Sequence, residues 1–177
     1  MVIMASGFSK RHGSNKLFRK IEGKTLIEHA FDAVPEEELY RTAAVTRFKQ
    51  IADAAGSRGI TAVMNEDAEK GISSSVKKGI YSMSDADGIV FSVADQPYLR
   101  RETVKKLVLL FKEHPENIIV PVYKDRTGNP CIFPSSLFGE LCALEGDTGG
   151  KSVIKKHPDM VIFSETDEKE LTDIDFA

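Results

Sequence analysis

Cysteine is scarce in this chain. Two stand in 177 residues, Cys131 and Cys142, with no C-x-x-C spacing and no histidines clustered beside them. A disulfide framework and a structural zinc site are therefore not expected, and a reducing compartment suits the chain. There is no excess of charge of one sign: 24 Lys and Arg against 27 Asp and Glu leave a formal net charge of −3. With no broad basic field, wholesale binding to nucleic acid or to a membrane surface is not expected. No apolar stretch is long enough to span a bilayer. No basic-then-apolar leader comes before the first apolar run, so a cytoplasmic location is expected. Internal repeats, low-complexity tracts and linkers are also missing, which predicts a single domain over 1–177. The remainder is ordinary globular composition, 41% hydrophobic and 29% charged, at a length that can bury a real core.

The apolar runs alternate in kind along the chain. Val2 to Ala5 is short and continuously apolar, the mark of a strand buried on both faces. Lys24 to Val34 places Leu26, Ile27, Ala30, Phe31 and Val34 on one helical face, with Pro35 as the stop. Strand and helix then alternate: Thr42–Thr46, Phe48–Ala55, Ile60–Met64, a helix opened by Gly71 to Ser75, Gly88–Ala94, Thr103–Phe111 and Asn117–Tyr123. Such alternation predicts parallel βαβ units in one three-layer α/β/α domain with a mainly parallel, Rossmann-like sheet. Beyond it, Lys124 to Asn129 reads as a polar turn and Pro130 to Phe133 as a strand outside the parallel register. Ser136–Leu144 and Gly150–Lys156 read as short helices, Met160–Phe163 as a last strand, and Leu171–Asp175 as an edge segment.

Three polar clusters follow predicted strands, where ligands of open α/β sheets bind. They are the loop from Gly7 to Lys16, Asn65 with Gly71–Ser75, and Asp95-Gln96-Pro97. The first carries Lys10, Arg11, His12 and Lys16 around Gly13, and many free N–H groups at a strand end suit an anion, phosphate above all. A solvated basic turn is the alternative. The loop is not a P-loop, and it does not fit G-x-G-x-x-G. Gly146 to Ser152 comes within one residue of the P-loop spacing, but no strand is predicted directly before it. Asp95 also suits a cap for the turn before Pro97, and Ser73–Ser75 suit helix capping. Asp173 and Asp175 suit a solvated terminus. His114 and His157, each before a proline, suit helix C-caps, while His12 and His29 have no triad partners. The cysteines read as core.

Taken in order, the chain shows Ser6-Gly7-x-Ser9-x-Arg11-x-Gly13-x-x-Lys16, then Asn65 with Gly71-Ile72-Ser73-Ser74-Ser75, then Ala94-Asp95-Gln96-Pro97. Gly128-Asn129-Pro130, Gly146-Asp147-Thr148-Gly149-Gly150-Lys151 and Asp173-Ile174-Asp175 complete the series. This series resembles the molybdopterin cytidylyl- and guanylyltransferases of molybdenum cofactor maturation, from Val2 to Asp175. The resemblance implies a nucleotide-diphospho-sugar-transferase-like fold. It also implies Mg²⁺-dependent transfer of CMP from CTP to a phosphorylated small acceptor, molybdopterin, with release of pyrophosphate. GTP as donor, a sugar phosphate or other phospho-acid as acceptor, and a non-catalytic nucleotide-binding or chaperone module are the alternatives. A transient contact with a molybdoenzyme is also implied.

Carried over by position, Ala5, Ser6, Gly7, Ser9 and Gly13 would line the nucleotide, with loop amides cradling the β- and γ-phosphates. Arg11 would act as a fork donor and Lys16 as a point charge. Asp95 would hold Mg²⁺, since a hard cation takes carboxylate and phosphate oxygens. Asp175, or Asp173, would be a second acidic position. Asn65, Gly71, Ser73 and Ser74 would lie near base and ribose. Arg11, Lys16 and Asp95 are thus the catalytic expectation. Ser6 departs from the family's usual alanine or glycine; alanine there goes with cytidine and a second glycine with guanine. Its Cβ puts serine nearer alanine, so CTP is expected over GTP.

Overall fold

The computed structural model describes residues 1–7 and 15–174. Its main sheet contains β1 (Val2–Ala5), β4 (Ala43–Thr46), β5 (Thr61–Met64), β6 (Gly88–Val93), β7 (Ile118–Tyr123), β9 (Cys131–Pro134) and β10 (Val161–Glu165). The order across it is β10-β7-β9-β6-β1-β4-β5, and β8 (Arg126–Thr127) pairs with β7 at one end. β1 pairs in parallel with both β4 and β6, β4 with β5, and β7 with β10. β9 is the exception, antiparallel to β6 and β7. A strand outside the parallel register was the expectation from Pro130–Phe133, and it lies in the middle of the sheet.

Successive side chains of a strand point to opposite faces, and here both faces are covered. Ile3, Ala44, Val90, Ile119 and Ile132 pack with Ile27 and Phe31 of α1 (Leu26–Asp32), Ile51 of α2 (Lys49–Gly56) and Val104 and Leu107 of α4 (Arg101–Glu113). Their neighbours Val2, Val45, Ile89, Phe91, Ile118 and Phe133 pack with Val76 and Ile80 of α3 (Ile72–Tyr81), Leu141 of α5 (Phe138–Cys142) and Val153 of α6 (Lys151–Lys156). Burial on both faces is why the strands read as continuous apolar runs. No helix among the described residues is long and apolar enough to cross a membrane.

Three segments differ from the sequence expectation. The first helix starts at Leu26, not Lys24: positive φ at Glu22 and Gly23 turns the chain so that Lys24–Thr25 (β3) pairs with Lys20–Ile21 (β2). Thr25 then caps α1 in a capping box with Glu28. Within the turn 124–129, Arg126 and Thr127 pair with Tyr123 and Val122 as β8. Finally, no strand forms over 171–174. Leu171 closes a 3₁₀ turn begun at Glu168, and the Ile174 amide bonds to the Asp95 carbonyl at 2.9 Å. That segment finds its partner in a loop, not along a strand.

Candidate active site

In the order β5-β4-β1-β6 the strand order reverses between β1 and β6, and the loops after these neighbouring parallel strands bound a crevice at one edge of the sheet. A cleft of about 280 Å³ lies there. Ser6 and Gly7 follow β1 into it, Ala94 and Asp95 follow β6, and Gly71, Ile72 and Ser75 come from the start of α3. Asn15, Lys16 and Asp147 complete its polar lining.

Asn15 accepts a hydrogen bond from the Leu17 amide at 3.1 Å, and Leu17 is buried, so the turn that carries Lys16 is anchored at both points. From it Lys16 Nζ donates to Asp95 Oδ2 at 2.7 Å and to the Ile174 carbonyl at 3.4 Å. Asp173 lies beside them, its Oδ1 accepting from Gln96 Nε2 at 2.8 Å. Burial raises the Asp173 carboxyl above its usual range, and the charge of Asp95 raises it further, against the bond from Gln96. Ser6 is buried, and its hydroxyl donates to the Val45 carbonyl at 3.0 Å, across to β4. The Ala5 carbonyl likewise accepts from Thr46 Oγ1. These bonds hold the end of β1 against its neighbour, so the chain enters the crevice from a fixed point.

The Asn65 group does something different from what its motif suggested. Asn65 is 1% exposed; its Nδ2 donates to Ser74 Oγ and Ser75 Oγ, and its Oδ1 accepts from the Asp67 amide. Ser74 Oγ in turn donates to the Gly71 carbonyl at 2.8 Å. Asn65 thus fixes the start of α3 from within and does not line the cleft. Ser73 and Ser74 line a separate surface depression with Lys70 and Lys77. From this second cluster it is Gly71 and Ser75 that reach the crevice. Ser9, Arg11, Gly13 and Asp175 lie outside the described residues.

Gly71 has a specific reason to be glycine. Its φ is +91°, and a Cβ there would stand 2.4 Å from the Gly146 carbonyl carbon and 2.7 Å from the Asp147 amide. The Ser73 amide also donates to the Gly146 carbonyl at 3.1 Å. This clasp brings Asp147 to the cleft, a placement that sequence reasoning missed. The signal in the sequence is the near-P-loop spacing of Gly146–Ser152, which falls one residue short and has no predicted strand directly before it. A second cavity, about 340 Å³, shares Met4, Ile72, Val93 and Asp147 with the first. It runs under β8 and β9, with Phe91, Phe133 and Leu141 as an apolar floor and Gln96, Arg126 and Lys151 among its polar groups. Cys131 also lines it, but burial pushes its thiol up to about 12 and its Sγ lies 3.1 Å from the Gly128 carbonyl, so it is inert packing.

Asp95 and Asp173 offer hard oxygen donors side by side, with a cation already drawn to one of them. No group of three or more His, Cys, Asp or Glu that could cage a metal occurs among the described residues. That donor set fits Mg²⁺ or Mn²⁺, which keep waters and take phosphate oxygens in place of an all-protein cage. Two anchored carboxylates, a lysine and a glycine turn at a switch point form an arrangement suited to polyphosphate chemistry.

The chain is similar to known proteins over most of its length. The chain is 29% identical over 191 residues to the purine catabolism protein PucB of Bacillus subtilis (strain 168), covering 98% of this chain and 90% of that one. The crystal structure of Rv0371c from Mycobacterium tuberculosis H37Rv superposes with a TM-score of 0.80 at 25% identity, over 98% of this chain and 91% of that one. A structure of Rv0371C in complex with manganese superposes at 0.73 and 22% identity, over 93% and 86%. The family model for the MobA-like NTP transferase domain matches residues 1–161, and the chain belongs to that family of nucleotidyltransferases.

Proposed function

We propose that this nucleotidyltransferase moves CMP from CTP to the phosphate of molybdopterin, or its molybdenum form, and releases pyrophosphate in a Mg²⁺-dependent reaction. The observation that carries the reading is the meeting of Lys16 and Asp95 at the crevice between β1 and β6, with Asp173 beside them on the adjoining cavity. The triphosphate lies along Gly7 and Lys16, with the amides of Ser9 and Gly13 and the Arg11 guanidinium completing its cradle. Asp95 and one of Asp173 and Asp175 hold the metal ion, which when bound supplies electrostatic stabilisation of charge on the phosphates. Ser6 and Gly71 border the base and ribose. The acceptor occupies the adjoining cavity beneath β8 and β9, and Asp147 lies where the two spaces meet.

The attacking group is already an anion, so the reaction needs no covalent protein intermediate. Its demands are in-line placement of two anions and neutralisation of charge on the leaving pyrophosphate. Lys16, on its anchored turn, meets the second demand as a preorganised donor, and Arg11 is assigned to share it. The motif series supports molybdopterin as acceptor, and the Cβ of Ser6 supports CTP over GTP. A transient contact with a molybdoenzyme would receive the product.

Pyrophosphate release with CTP, Mg²⁺ and molybdopterin tests the reading, against GTP and against a sugar phosphate. Turnover with CTP and molybdopterin is expected, and Asp95→Asn should lower it by at least ~100-fold, the scale of losing one electrostatic stabiliser. Turnover with a sugar phosphate and none with molybdopterin would overturn the acceptor. Undiminished turnover in Asp95→Asn would overturn the site.

A further inference from the structure

Gln96 lines the second cavity and not the nucleotide cleft, and it is 3% exposed. Its Nε2 donates to Asp173 Oδ1 at 2.8 Å. An ionised carboxylate can only accept, so the amide nitrogen faces Asp173 and the amide oxygen is left for another partner. That oxygen, Oε1, is buried and has no hydrogen-bond partner among the described residues. A buried acceptor left unpaired costs stability, and each one in a native fold calls for an explanation. The same cavity has Phe91, Phe133 and Leu141 as its floor, with the two phenyl rings edge to face and their centroids 6.1 Å apart.

We propose that Gln96 is a specificity residue for the acceptor, its Oε1 taking a hydrogen bond from an N–H on a flat nitrogen heterocycle. The inference rests on the reading of this cavity as the acceptor's site and goes beyond it to the part of the substrate that is recognised. Oε1 carries partial negative charge, so it repels the acceptor's phosphate oxygens and needs a donor. The apolar floor takes a flat ring in preference to a sugar, whose hydroxyls would lose their water against it. A ring edge that bears N–H groups meets both demands, and a pterin has such an edge. Discrimination follows from the same burial: a ligand without the donor covers Oε1 and still leaves it unpaired, which a polar site rejects strongly. Gln96 directly follows Asp95 in the chain, so a substrate held at Oε1 lies close to the residue read as the metal ligand.

Two fluorescent pteridines test this without turnover. Pterin carries N–H donors, whereas dimethyllumazine has methyl groups in place of its ring N–H. Each is titrated with wild type, Gln96→Met and Gln96→Glu in EDTA, so that no divalent ion bridges ligand and protein. Wild type should prefer pterin, and Gln96→Met should shrink that preference by ~10-fold, the scale of one hydrogen bond to a buried group. Displacing Asp173 would weaken both ligands alike, so the ratio isolates Oε1 from the Asp173 contact. Gln96→Glu keeps an accepting oxygen and should keep most of the preference. A ratio unchanged in Gln96→Met, or lost as fully in Gln96→Glu, would overturn the inference while leaving the cavity as a pterin site. Failure of wild type to bind either pteridine would overturn the pterin reading of the cavity and the inference with it.

Discussion

Asp173 is held in the fold at a cost. Burial, and then the charge of Asp95, raise its carboxyl above the ordinary 3.8, so its ionised form is less favourable folded than unfolded. The destabilisation is complete above the raised value, shrinks as pH falls through it, and vanishes below 3.8, where both states are protonated. Asp173→Asn keeps an oxygen for the Gln96 amide while removing the charge. Its melting temperature should therefore exceed wild type at pH 7, with the gap closing as pH falls toward the ordinary carboxyl value. Calorimetric scans across pH check this, and a gap that widens at low pH would contradict it. Ser6 poses the second test at this scale. Its hydroxyl is spent on the Val45 carbonyl, so only its Cβ and the position of the strand end bear on the neighbouring cleft. Ser6→Gly should narrow a preference for CTP over GTP by ~10-fold or more, within the range steric discrimination provides. Ratios of kcat/KM for the two nucleotides measure it, and an unmoved ratio would place selectivity in the later loops.

Among the elements, the junction of α3 with the 146–151 loop is the most exacting. The atoms a Gly71 side chain would strike are backbone, which cannot swing aside, and the positive φ adds its own strain. Gly71→Ala should cost at least ~2 kcal/mol, from left-handed strain of ~1–2 and overpacking of ~1–3 kcal/mol. Urea titration measures the loss, and a change within experimental error would show that the clasp is loose. The strands were legible in the sequence because both faces of the sheet are covered, so Val2–Ala5 is continuously apolar and Gly88–Val93 is apolar but for the buried Ser92. The amphipathic helices were legible from the same burial on one side. Three things were not. Lys24–Thr25 carries helix-pattern neighbours, yet the turn at Glu22 and Gly23 decides its conformation. Leu171–Asp175 reads as an edge segment, but Leu171 is buried against Gly128 and the Ile174 amide goes to Asp95. Asn65, Ser73 and Ser74 looked like ligand contacts because they are polar and close to a motif, whereas Asn65 and Ser74 satisfy one another inside the fold. Local pattern reports which face is buried, not which distant group answers a hydrogen bond.

Across the whole molecule, the end of the described chain at Ile174 meets Lys16 and Asp95 beside the crevice, and one buried acid holds that end in place. Glu170 is 2% exposed and accepts from the Arg100 amide, Nε and Nη2 at the head of α4. Burial alone would raise its carboxyl, but the bonds from Thr103 and Arg100 overcome this and hold it below the usual range. Its stabilisation is therefore present above the ordinary 4.5 and lost as pH falls through the lowered value. Glu170→Gln should lower the melting temperature at pH 7 and converge with wild type in acid. It should also weaken Mn²⁺ binding in the presence of CTP, since the turn it anchors delivers Asp173; unchanged binding would mean that the bond to Asp95 positions the segment unaided. The reversed direction of β9 has a further bearing, on how such proteins diverge. Because Cys131 lies opposite Phe91 near the carboxyl end of β6, the turn before β9 reaches the crevice edge, and α5 leads the chain back there through Gly146. The polar groups around the second cavity thus come mostly from one contiguous stretch, residues 126–151, while those of the nucleotide cleft come mostly from elsewhere. A lineage can rewrite that stretch and inherit the rest intact. Grafting 126–151 from a relative with another acceptor should shift acceptor preference and leave the KM for CTP within a few-fold, so novelty on one side of the sheet need not be purchased by relearning the other.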